Sequence, residues 1–421
     1  MTSINQTQVA TSDAPVFFEN LFRKKLINRL EKLPQGHLVI EDADSAYSCG
    51  QIDQASNITA RMTIHDPSAY RDIALGGSLG AAEAYMLGKW TTPDLVALVR
   101  LMSINIDFLN QMDESKFLLQ RLTDKVYHWL NRNTQSRSKQ NISAHYDLSN
   151  EFFELFLDPT MMYSSAVFAD DSIQLDEAAV YKLDLICLKL ELKPSDHLLE
   201  IGTGWGGLAI HAAQHYGCRV TTTTISLEQF NAATERVKQA GLEDRITVLF
   251  EDYRNLKGSF DKLVSIEMIE AVGPQFYKEY FQGCSSLLKA NGLMLLQAIT
   301  IPAQRYEYAL KSVDFIQRYI FPGGSLPSNE VILSSVKKHS DLEMVGMQEI
   351  GEDYGKTLDI WRQRFNSKLD QVRKLGFDEI FIRMWDYYLC YCQGAFEERV
   401  IGTSQLLFAK PEWRSSIGRH D

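Results

Sequence analysis

The stretch HLLEIGTGWGGLAIHAAQHY, residues 197–216, places an apolar run, a glycine-rich turn and a helical pattern in direct succession. The apolar run at 198–201 predicts a buried strand, and the apolar spacing after the turn predicts a helix. Glycines let the backbone turn tightly and approach a ligand at the carboxyl end of a strand. Gly202, Gly204 and Gly206 are therefore predicted to form a cofactor-binding loop.

The spacing around this loop separates two kinds of cofactor. Dinucleotide sites use G-x-G-x-x-G and place an acid about 20 residues further on to hold the ribose. Here the pattern is G-x-G-x-G-G, and the second strand ends in threonines (222–224) instead of an acid. Glu200 precedes the turn, and Glu251 and Asp252 follow the third strand. Residues in this order predict a site for the methionine, ribose and adenine parts of S-adenosylmethionine.

Apolar runs alternate with helical patterns through residues 143–410. The predicted strands cover residues 198–201, 219–224, 246–250, 262–266 and 293–299. The intervals between them are long enough for crossover helices, which is typical of a parallel sheet with helices on both faces. We predict an α/β fold for this region, doubly wound and Rossmann-like.

The residues before this region predict a smaller α+β domain. Segments rich in Val, Ile, Thr and Tyr between His37 and Ile64 indicate strands, and residues 76–90 and 95–102 have helical patterns. The polar stretch NRNTQSRSKQN has no apolar periodicity and predicts a linker. The predicted organisation is a disordered tail at 1–14, an α+β domain at 15–130, a linker at 131–142, the α/β domain at 143–410 and a tail at 411–421.

Residues 16–33 combine apolar residues at helical spacing with basic residues between them. This pattern predicts an amphipathic helix that either packs on its own domain or contacts anionic lipid. No segment is apolar enough for a spanning helix, and the first residues lack the layout of a signal peptide. We expect a cytoplasmic protein that meets the inner face of a membrane only peripherally.

Charge and cysteine usage exclude several classes of partner. The net charge of −11 argues against nucleic acid, because phosphate binding depends on clustered Lys and Arg. The six cysteines are scattered, without CxxC pairs or metal-ligand spacing, so neither disulfides nor a metal site are expected. The sequence leaves the oligomeric state open, including a homodimer.

Eight strings carry a resemblance to a known family. They are HYDLSNEFFELFLDPTMMYSS, LLEIGTGWGGLA, TTISLEQ, EDYRNL, MIEAVGPQFYKEYF, FIQRYIFPGGSLPS, EDYGKTLDIW and YYLCYCQGAF. In this order they resemble the cyclopropane-fatty-acyl-phospholipid synthase family of methyltransferases, which includes the mycolic-acid cyclopropane synthases. The resemblance runs from about residue 144 to residue 410, and GSLGAAEAYMLGKW at 77–90 extends it more weakly.

The resemblance implies a class I methyltransferase fold that uses S-adenosylmethionine. It also implies transfer of a methyl or methylene group to the double bond of an unsaturated acyl chain in a membrane phospholipid. The residues that match cofactor-binding positions are Tyr163, Ser164, Gly202, Gly204, Gly206, Thr224, Gln229, Asp252 and Tyr253. Glu200 is added to this set because it lies directly before the glycine turn. The membrane surface is accordingly the expected partner, and the amino-terminal domain is expected to help dock on it.

A second set of positions matches the catalytic site of the family. Glu270 matches the acid that helps to hold a bicarbonate ion beside the transferred methyl, and Tyr354 matches a tyrosine at the same site. Cys392 lies where the family often carries a cysteine. Ser165 and Gln297 belong to the ion site but depart from the family, which usually has Cys and His there. Because Gln cannot carry a proton as His can, these departures put the bicarbonate and ring closure in doubt.

The chemistry leaves both the product and the acceptor open. An alkene is a weak nucleophile, so it needs alignment with the sulfonium methyl in a dry pocket, and aromatic faces stabilise the carbocation that follows. Loss of a proton from the new methyl closes a cyclopropane, whereas loss from the chain leaves a methyl-branched alkene. An amine or lipid headgroup is an alternative acceptor. A non-catalytic lipid-binding protein is the second alternative.

Overall fold

A computed structural model describes residues 14–52, 57–113 and 148–414 of the chain. The described residues divide into two compact units, one ending at 113 and the other beginning at 148. The predicted linker at 131–142 and nearly all of the predicted tail at 1–14 lie outside the described residues. Within that tail, only Ala14 is described, where the first helix begins.

The amino-terminal unit contains a four-stranded sheet in the order β2-β1-β3-β4. Its elements are α1 (Ala14–Leu30), β1 (Gly36–Glu41), β2 (Ala46–Gln51), β3 (Thr59–Ile64), α2 (Ser68–Met86), β4 (Trp90–Thr91), α3 (Leu95–Ile104) and α4 (Ile106–Asp113). Strand β1 pairs antiparallel with β2 and parallel with β3. The strands predicted between residues 37 and 64 are therefore confirmed.

The helix predicted over residues 76–90 is wrong at its carboxyl end. Helix α2 stops at Met86, and Trp90 belongs to β4. The cause is Gly88, whose φ of 71° lies in the left-handed region that ends helices. The indole of Trp90 is buried and donates to the Ala81 carbonyl at 2.9 Å, so the turn folds this residue back onto α2.

Helix α1 lies in the region where a helix was predicted and ends at Leu30. Leu26, Ile27 and Leu30 are buried, whereas Lys24 and Lys25 on the other side are exposed. The helix packs against α2 and β2. Packing within its own unit is thus observed, and contact with lipid stays a prediction.

The second unit is built on a seven-stranded sheet in the order β10-β11-β9-β8-β5-β6-β7. Its strands are β5 (His197–Ile201), β6 (Arg219–Thr224), β7 (Ile246–Phe250), β8 (Phe260–Ile266), β9 (Leu288–Thr300), β10 (Glu343–Glu349) and β11 (Gly402–Ala409). The five strands from β7 to β9 in this order are mutually parallel, and β11 runs antiparallel to both β9 and β10. The predicted doubly wound α/β fold is confirmed.

Helices cover this sheet on both faces. They are α5 (Asn150–Glu154), α6 (Leu175–Lys189), α7 (Gly207–Tyr216), α8 (Leu227–Gln239), α9 (Tyr277–Leu287), α10 (Ala303–Ala309), α11 (Asn329–His339), α12 (Gly351–Ser367), α13 (Leu369–Lys374) and α14 (Glu379–Glu397). Leu198 packs in one apolar cluster and its neighbour Leu199 in another. Neighbouring strand residues point to opposite faces, so the alternation places a core on each side of the sheet.

Strands β10 and β11 are the two strands of this sheet that the sequence did not predict. Strand β10 has mostly exposed side chains, including Met344, Val345 and Met347. An edge strand with exposed side chains lacks the apolar run that identifies the central strands.

Replacement of Leu199 by Ala tests the core on the central strand. Leu199 has no exposed surface, and removal of such a side chain is expected to lower the free energy of unfolding by about 2–5 kcal/mol. The matched control is Val345→Ala on β10, where the side chain is 44% exposed. Urea unfolding of both variants, followed by tryptophan fluorescence, should show a clear loss for Leu199→Ala only. Equal losses would contradict this description of the core.

Candidate active site

The predicted site residues converge at the carboxyl edge of the parallel strands. Gly202 follows β5, Thr224 ends β6 and Asp252 lies just after β7. The residues at the carboxyl end of β8 lie at the same edge, because these strands are parallel neighbours. Residues separated by more than 60 positions in sequence are thus brought to one edge of the sheet.

The glycine loop has the backbone that the sequence predicted. Gly202, Gly204 and Gly206 all have positive φ, at 101°, 53° and 83°, a region that residues with side chains rarely adopt. A methyl group on Gly204 would meet no atom within 4 Å. On Gly207, at the start of α7, it would lie 2.5 Å from the Thr160 carbonyl oxygen. The loop therefore has open space for a ligand at Gly204, whereas Gly207 packs directly against the backbone of Thr160.

Polar side chains from β6 and α8 lie beside this loop. The Thr224 hydroxyl donates to Gln229 Oε1 at 2.9 Å. The Ser226 hydroxyl caps α8 by accepting from the Gln229 backbone nitrogen. These contacts fix the Gln229 carboxamide at the carboxyl end of β6. A carboxamide offers both donors and an acceptor to ribose hydroxyls, so the open loop and these groups fit S-adenosylmethionine.

Asp252 and Tyr253, predicted at the adenine end, begin the short helix after β7. The Asp252 carboxylate caps the turn through the Arg254 backbone nitrogen and binds the Arg254 guanidinium at 2.7 and 2.8 Å. Tyr253 packs edge-on against Tyr280, with ring centroids 5.6 Å apart. Arg254 therefore fixes the carboxylate, an arrangement that the sequence alone did not predict.

The Glu200 side chain is buried and binds a neighbouring strand. Its side chain is 3% exposed, and Oε2 accepts from the Thr222 hydroxyl at 2.6 Å. Burial raises its pKa to about 8. The contact joins β5 to β6 behind the glycine loop. Its observed contact is structural, and its role toward the cofactor stays a prediction.

Tyr163 and Ser164 are each held by a residue far away in sequence. The Tyr163 hydroxyl lies 2.9 Å from that of Tyr388, and the Ser164 hydroxyl accepts from Lys182 at 2.8 Å. Lys182 has no exposed surface, and burial lowers its pKa to about 8. This segment is therefore anchored to α6 and α14 where it passes the site.

Glu267 is the site residue that the sequence analysis missed. It directly follows β8 and has a φ of 49°, in the left-handed region. One carboxylate oxygen, Oε1, accepts from Gln297 Nε2 at 2.7 Å and from the Ser165 backbone nitrogen at 3.1 Å. The other, Oε2, accepts from the Tyr354 hydroxyl at 2.7 Å. Three residues assigned to the ion site by resemblance thus all bind one side chain of this chain.

The Gln297 carboxamide is oriented by a chain of polar groups behind it. Gln405 Nε2 donates to Gln297 Oε1 at 2.9 Å, and Lys189 Nζ donates to Gln405 Oε1 at 2.5 Å. With its oxygen occupied, Gln297 presents its NH₂ group to Glu267. Since Gln297 and Gln405 are fully buried or nearly so, this orientation satisfies amide groups that would otherwise be costly to bury.

Aromatic rings pack against the ring of Tyr354. Tyr354 stacks on Phe396 with centroids 4.5 Å apart, and Trp361 packs edge-on at 6.2 Å. The ring centroids of Trp361 and Tyr163 are 5.5 Å apart. The faces of such rings attract cations, and the Tyr354 hydroxyl links this cluster to the Glu267 carboxylate.

Glu270 has fewer partners than Glu267. Its Oε1 accepts from the Ile299 backbone nitrogen at 2.5 Å, while Oε2 is buried without a hydrogen-bond partner. Burial, and next the neighbouring Glu267, raise the pKa of Glu270 to about 8. Burial also raises the pKa of Glu267, against the opposing effect of the Tyr354 and Gln297 hydrogen bonds. The two carboxyls therefore interact.

The Ser165 side chain does not bind at the expected ion site, and Cys392 lacks the properties of a nucleophile. The Ser165 hydroxyl donates to the Ala166 carbonyl at 2.8 Å, so the backbone nitrogen of this residue reaches the carboxylate instead. Burial raises the pKa of the Cys392 thiol above its usual range. A protonated thiol is a poor nucleophile, which supports a packing role for Cys392.

A bicarbonate ion does not fit this arrangement. Its expected donors at Ser165, Gln297 and Tyr354 already bind the Glu267 carboxylate. An added anion would lie against the Glu267 carboxylate, and like charges at close range in a buried site repel strongly.

Comparison with known proteins gives a consistent set of relatives. The family model described as mycolic acid cyclopropane synthetase matches residues 133–406. The chain is 36% identical to the tuberculostearic acid methyltransferase of Mycobacterium tuberculosis, over 90% of each chain. It is also 36% identical to the cyclopropane-fatty-acyl-phospholipid synthase of Escherichia coli K12, over 83% of this chain and 88% of that one.

Solved structures agree with these relatives. The cyclopropane synthase MmaA2 of Mycobacterium tuberculosis superposes with a TM-score of 0.61 and 29% identity, covering 65% of this chain and 98% of that chain. A mycolic acid cyclopropane synthase crystallised with SAH and CTAB gives a TM-score of 0.60 and 32% identity with the same coverage. The class I methyltransferase fold is confirmed.

A pair of glycine variants tests the loop. Gly204→Ala and Gly241→Ala both add a methyl group at positive φ, 53° and 65°, with no atom within 4 Å. Their backbone strain is thus matched, about 1–2 kcal/mol each. Only the first should weaken S-adenosylmethionine binding measured by calorimetry, by about tenfold or more, or 1.4 kcal/mol. Equal affinities would show that the ligand does not approach Gly204.

Removal of the Tyr354 hydroxyl tests its bond to Glu267. Tyr354→Phe keeps the ring on Phe396 but deletes the donor, so kcat should fall about 10- to 100-fold while cofactor affinity is retained. The matched control is Tyr216→Phe, which deletes a hydroxyl that donates to the Asp184 carboxylate at 3.2 Å. Initial rates with labelled S-adenosylmethionine measure both variants, and a similar loss in both would rule out a specific role.

Proposed function

Because the chain belongs to the mycolic acid cyclopropane synthetase family, we propose that its methyl transfer to unsaturated fatty acyl chains takes place on the phospholipids of a membrane. The chain is an S-adenosylmethionine-dependent methyltransferase. Support for phospholipid comes from the Escherichia coli relative, whose name includes it and which matches 83% of this chain.

The cofactor supplies an electrophilic methyl group on a sulfonium sulfur. The glycine loop, Gln229 and Asp252 are the groups that would hold its methionine, ribose and adenine parts. These residues lie on the ends of β5, β6 and β7, so rigid neighbouring strands fix their spacing. Orientation of this kind contributes much of the rate in reactions between two bound partners.

The observation that carries the proposal is a carboxylate bound by a tyrosine whose ring belongs to an aromatic cluster. Glu267 binds Tyr354, which is stacked on Phe396 and in contact with Trp361. Attack by an acyl double bond leaves a cation on carbon. Aromatic faces stabilise that charge and the carboxylate can accept its proton. Few other acceptors for methyl groups need both features at once.

Membrane contact is proposed for the amino-terminal unit. Helix α1 exposes Lys24 and Lys25 beside its packed face, and basic side chains near a surface are attracted to anionic headgroups. Among the described helices, none is both long and apolar enough to cross a membrane. The proposed contact is made by these lysines at the membrane surface and depends on lipid charge.

An amine acceptor is the second candidate, because two carboxyl groups lie close together in the site. Glu267 and Glu270 would attract a cationic amine. Against this, three donors already bind the Glu267 oxygens, which leaves less of the carboxylate for an ammonium group. The experiment below includes this acceptor as an outcome.

Labelled methyl transfer tests the proposal. The full chain is incubated with methyl-deuterated S-adenosylmethionine and vesicles of unsaturated phospholipid, and acyl chains and headgroups are then analysed by mass spectrometry. We expect acyl chains that gain the mass of one labelled carbon unit, and faster transfer on anionic than on neutral vesicles. Saturated phospholipid is the control and should remain unlabelled.

The number of deuterons retained identifies the product. Ring closure removes one deuteron from the transferred methyl, whereas a methyl branch with an internal alkene keeps all of them. Ozonolysis separates a ring from a methylene group, which also loses one deuteron. Label in the headgroup alone would favour the amine candidate, and a protein that binds the cofactor but labels no lipid would rule out the proposed substrate.

A further inference from the structure

Glu267 occupies the place that the family resemblance gives to bicarbonate. We propose that the Glu267 carboxylate is the base that removes the proton after methyl transfer, so that the reaction needs no bicarbonate. The inference rests on the proposed transfer to acyl double bonds, and it adds a residue and a requirement that the transfer itself does not imply.

The first argument is the set of donors. Residues from three separate segments, Ser165, Gln297 and Tyr354, all direct an N–H or O–H group at one carboxylate. Donors to a carboxylate stabilise its ionised form. Burial raises the pKa of Glu267, and the three donors oppose that effect and favour the negative oxygen pair that a base requires.

The second argument is the backbone at Glu267. Its φ of 49° lies in the left-handed region, which costs a residue with a side chain about 1–2 kcal/mol. Its backbone nitrogen donates to the Gln297 carbonyl at 2.8 Å, which helps to hold that conformation. Strained conformations of this kind persist where the surroundings enforce them and are common at active sites. The strain here directs the side chain toward its three donors.

The third argument is the division of charge between Glu267 and Glu270. Two neighbouring buried carboxyls do not both ionise readily, and the one with more donors keeps the charge. Glu267 accepts hydrogen bonds from three other residues, whereas Glu270 accepts from its own backbone nitrogen and that of Ile299. Glu270, whose pKa is raised to about 8, is then the protonated partner near neutral pH. A neutral Glu270 leaves Glu267 as the base.

The step balances without any further reactant. The π electrons of the acyl double bond form the bond to the methyl carbon, the C–S electrons stay on sulfur, and a cation remains on the neighbouring acyl carbon. Glu267 takes a proton from an adjacent carbon, and the released C–H electrons close the ring or form a new double bond. Glu267 later gives the proton to water.

The experiment compares bicarbonate dependence with the loss of Glu267. Methyl transfer by the full chain to unsaturated phospholipid vesicles is measured in buffer freed of carbon dioxide, with and without added bicarbonate. We expect the unaltered protein to have the same kcat in both. Glu267→Gln, which keeps the shape but not the charge, should lose about 100-fold or more in kcat while it binds S-adenosylmethionine normally.

A second variant separates a base from a structural group. Glu267→Gly suits the positive φ, so it should fold, and removal of the side chain exposes the three donors to a small anion. Added acetate or bicarbonate should then restore part of kcat, which a purely structural role of Glu267 would not allow. Glu243→Gln, at an exposed position after α8, is the control and should behave as the unaltered protein.

Three results would overturn the inference. They are a fall in the unaltered protein's kcat without bicarbonate, full activity of Glu267→Gln, and a folded, cofactor-binding Glu267→Gly that no anion rescues. Failure of the proposed function is distinguishable, because the unaltered protein would then label no acyl chain under any condition.

Discussion

The Glu267 carboxylate joins three parts of the second unit that are distant in sequence. Its donors come from the segment before α6, from β9 and from α12. A charge at this depth is costly unless several hydrogen bonds compensate it. The positions of Tyr354 and Gln297 are therefore tied to one side chain, and the aromatic rings that pack on Tyr354 follow the same constraint. The geometry of the reaction site depends on this interaction.

The sequence predicted the central strands and the glycine loop because each of them has a characteristic pattern of neighbouring residues. Apolar runs identified β5 to β9, since buried parallel strands are apolar on both faces, and positive φ at Gly202, Gly204 and Gly206 matches the expected loop. The resemblance of the MIEAVG string pointed to the segment after β8. Within that segment it indicated Glu270, whose observed partner is the Ile299 backbone.

The remaining features could not be predicted because they depend on distant contacts. Nothing local distinguishes Glu267 from Glu270, since both are acids after the same strand. A left-handed φ at Glu267 decides which of them meets Tyr354. From the sequence, Gln297 is a replacement for histidine that cannot carry a proton. It becomes a well-placed donor only because Gln405, on a strand that the sequence did not reveal, binds its oxygen.

A base attached to the chain has consequences for the product. A small ion can shift within its cavity, whereas Glu267 is held by its backbone and by three donors, so it reaches a limited set of protons on the cation. Whether a proton leaves the new methyl or the acyl chain then depends on how the acyl chain lies against Tyr354, Phe396 and Trp361. In the proposed reaction, the glycine loop holds the methyl donor. The rings and the carboxylate decide what the cation becomes, so substitutions that reshape the packing around Tyr354 are the ones that can redirect the product without weakening the binding of S-adenosylmethionine.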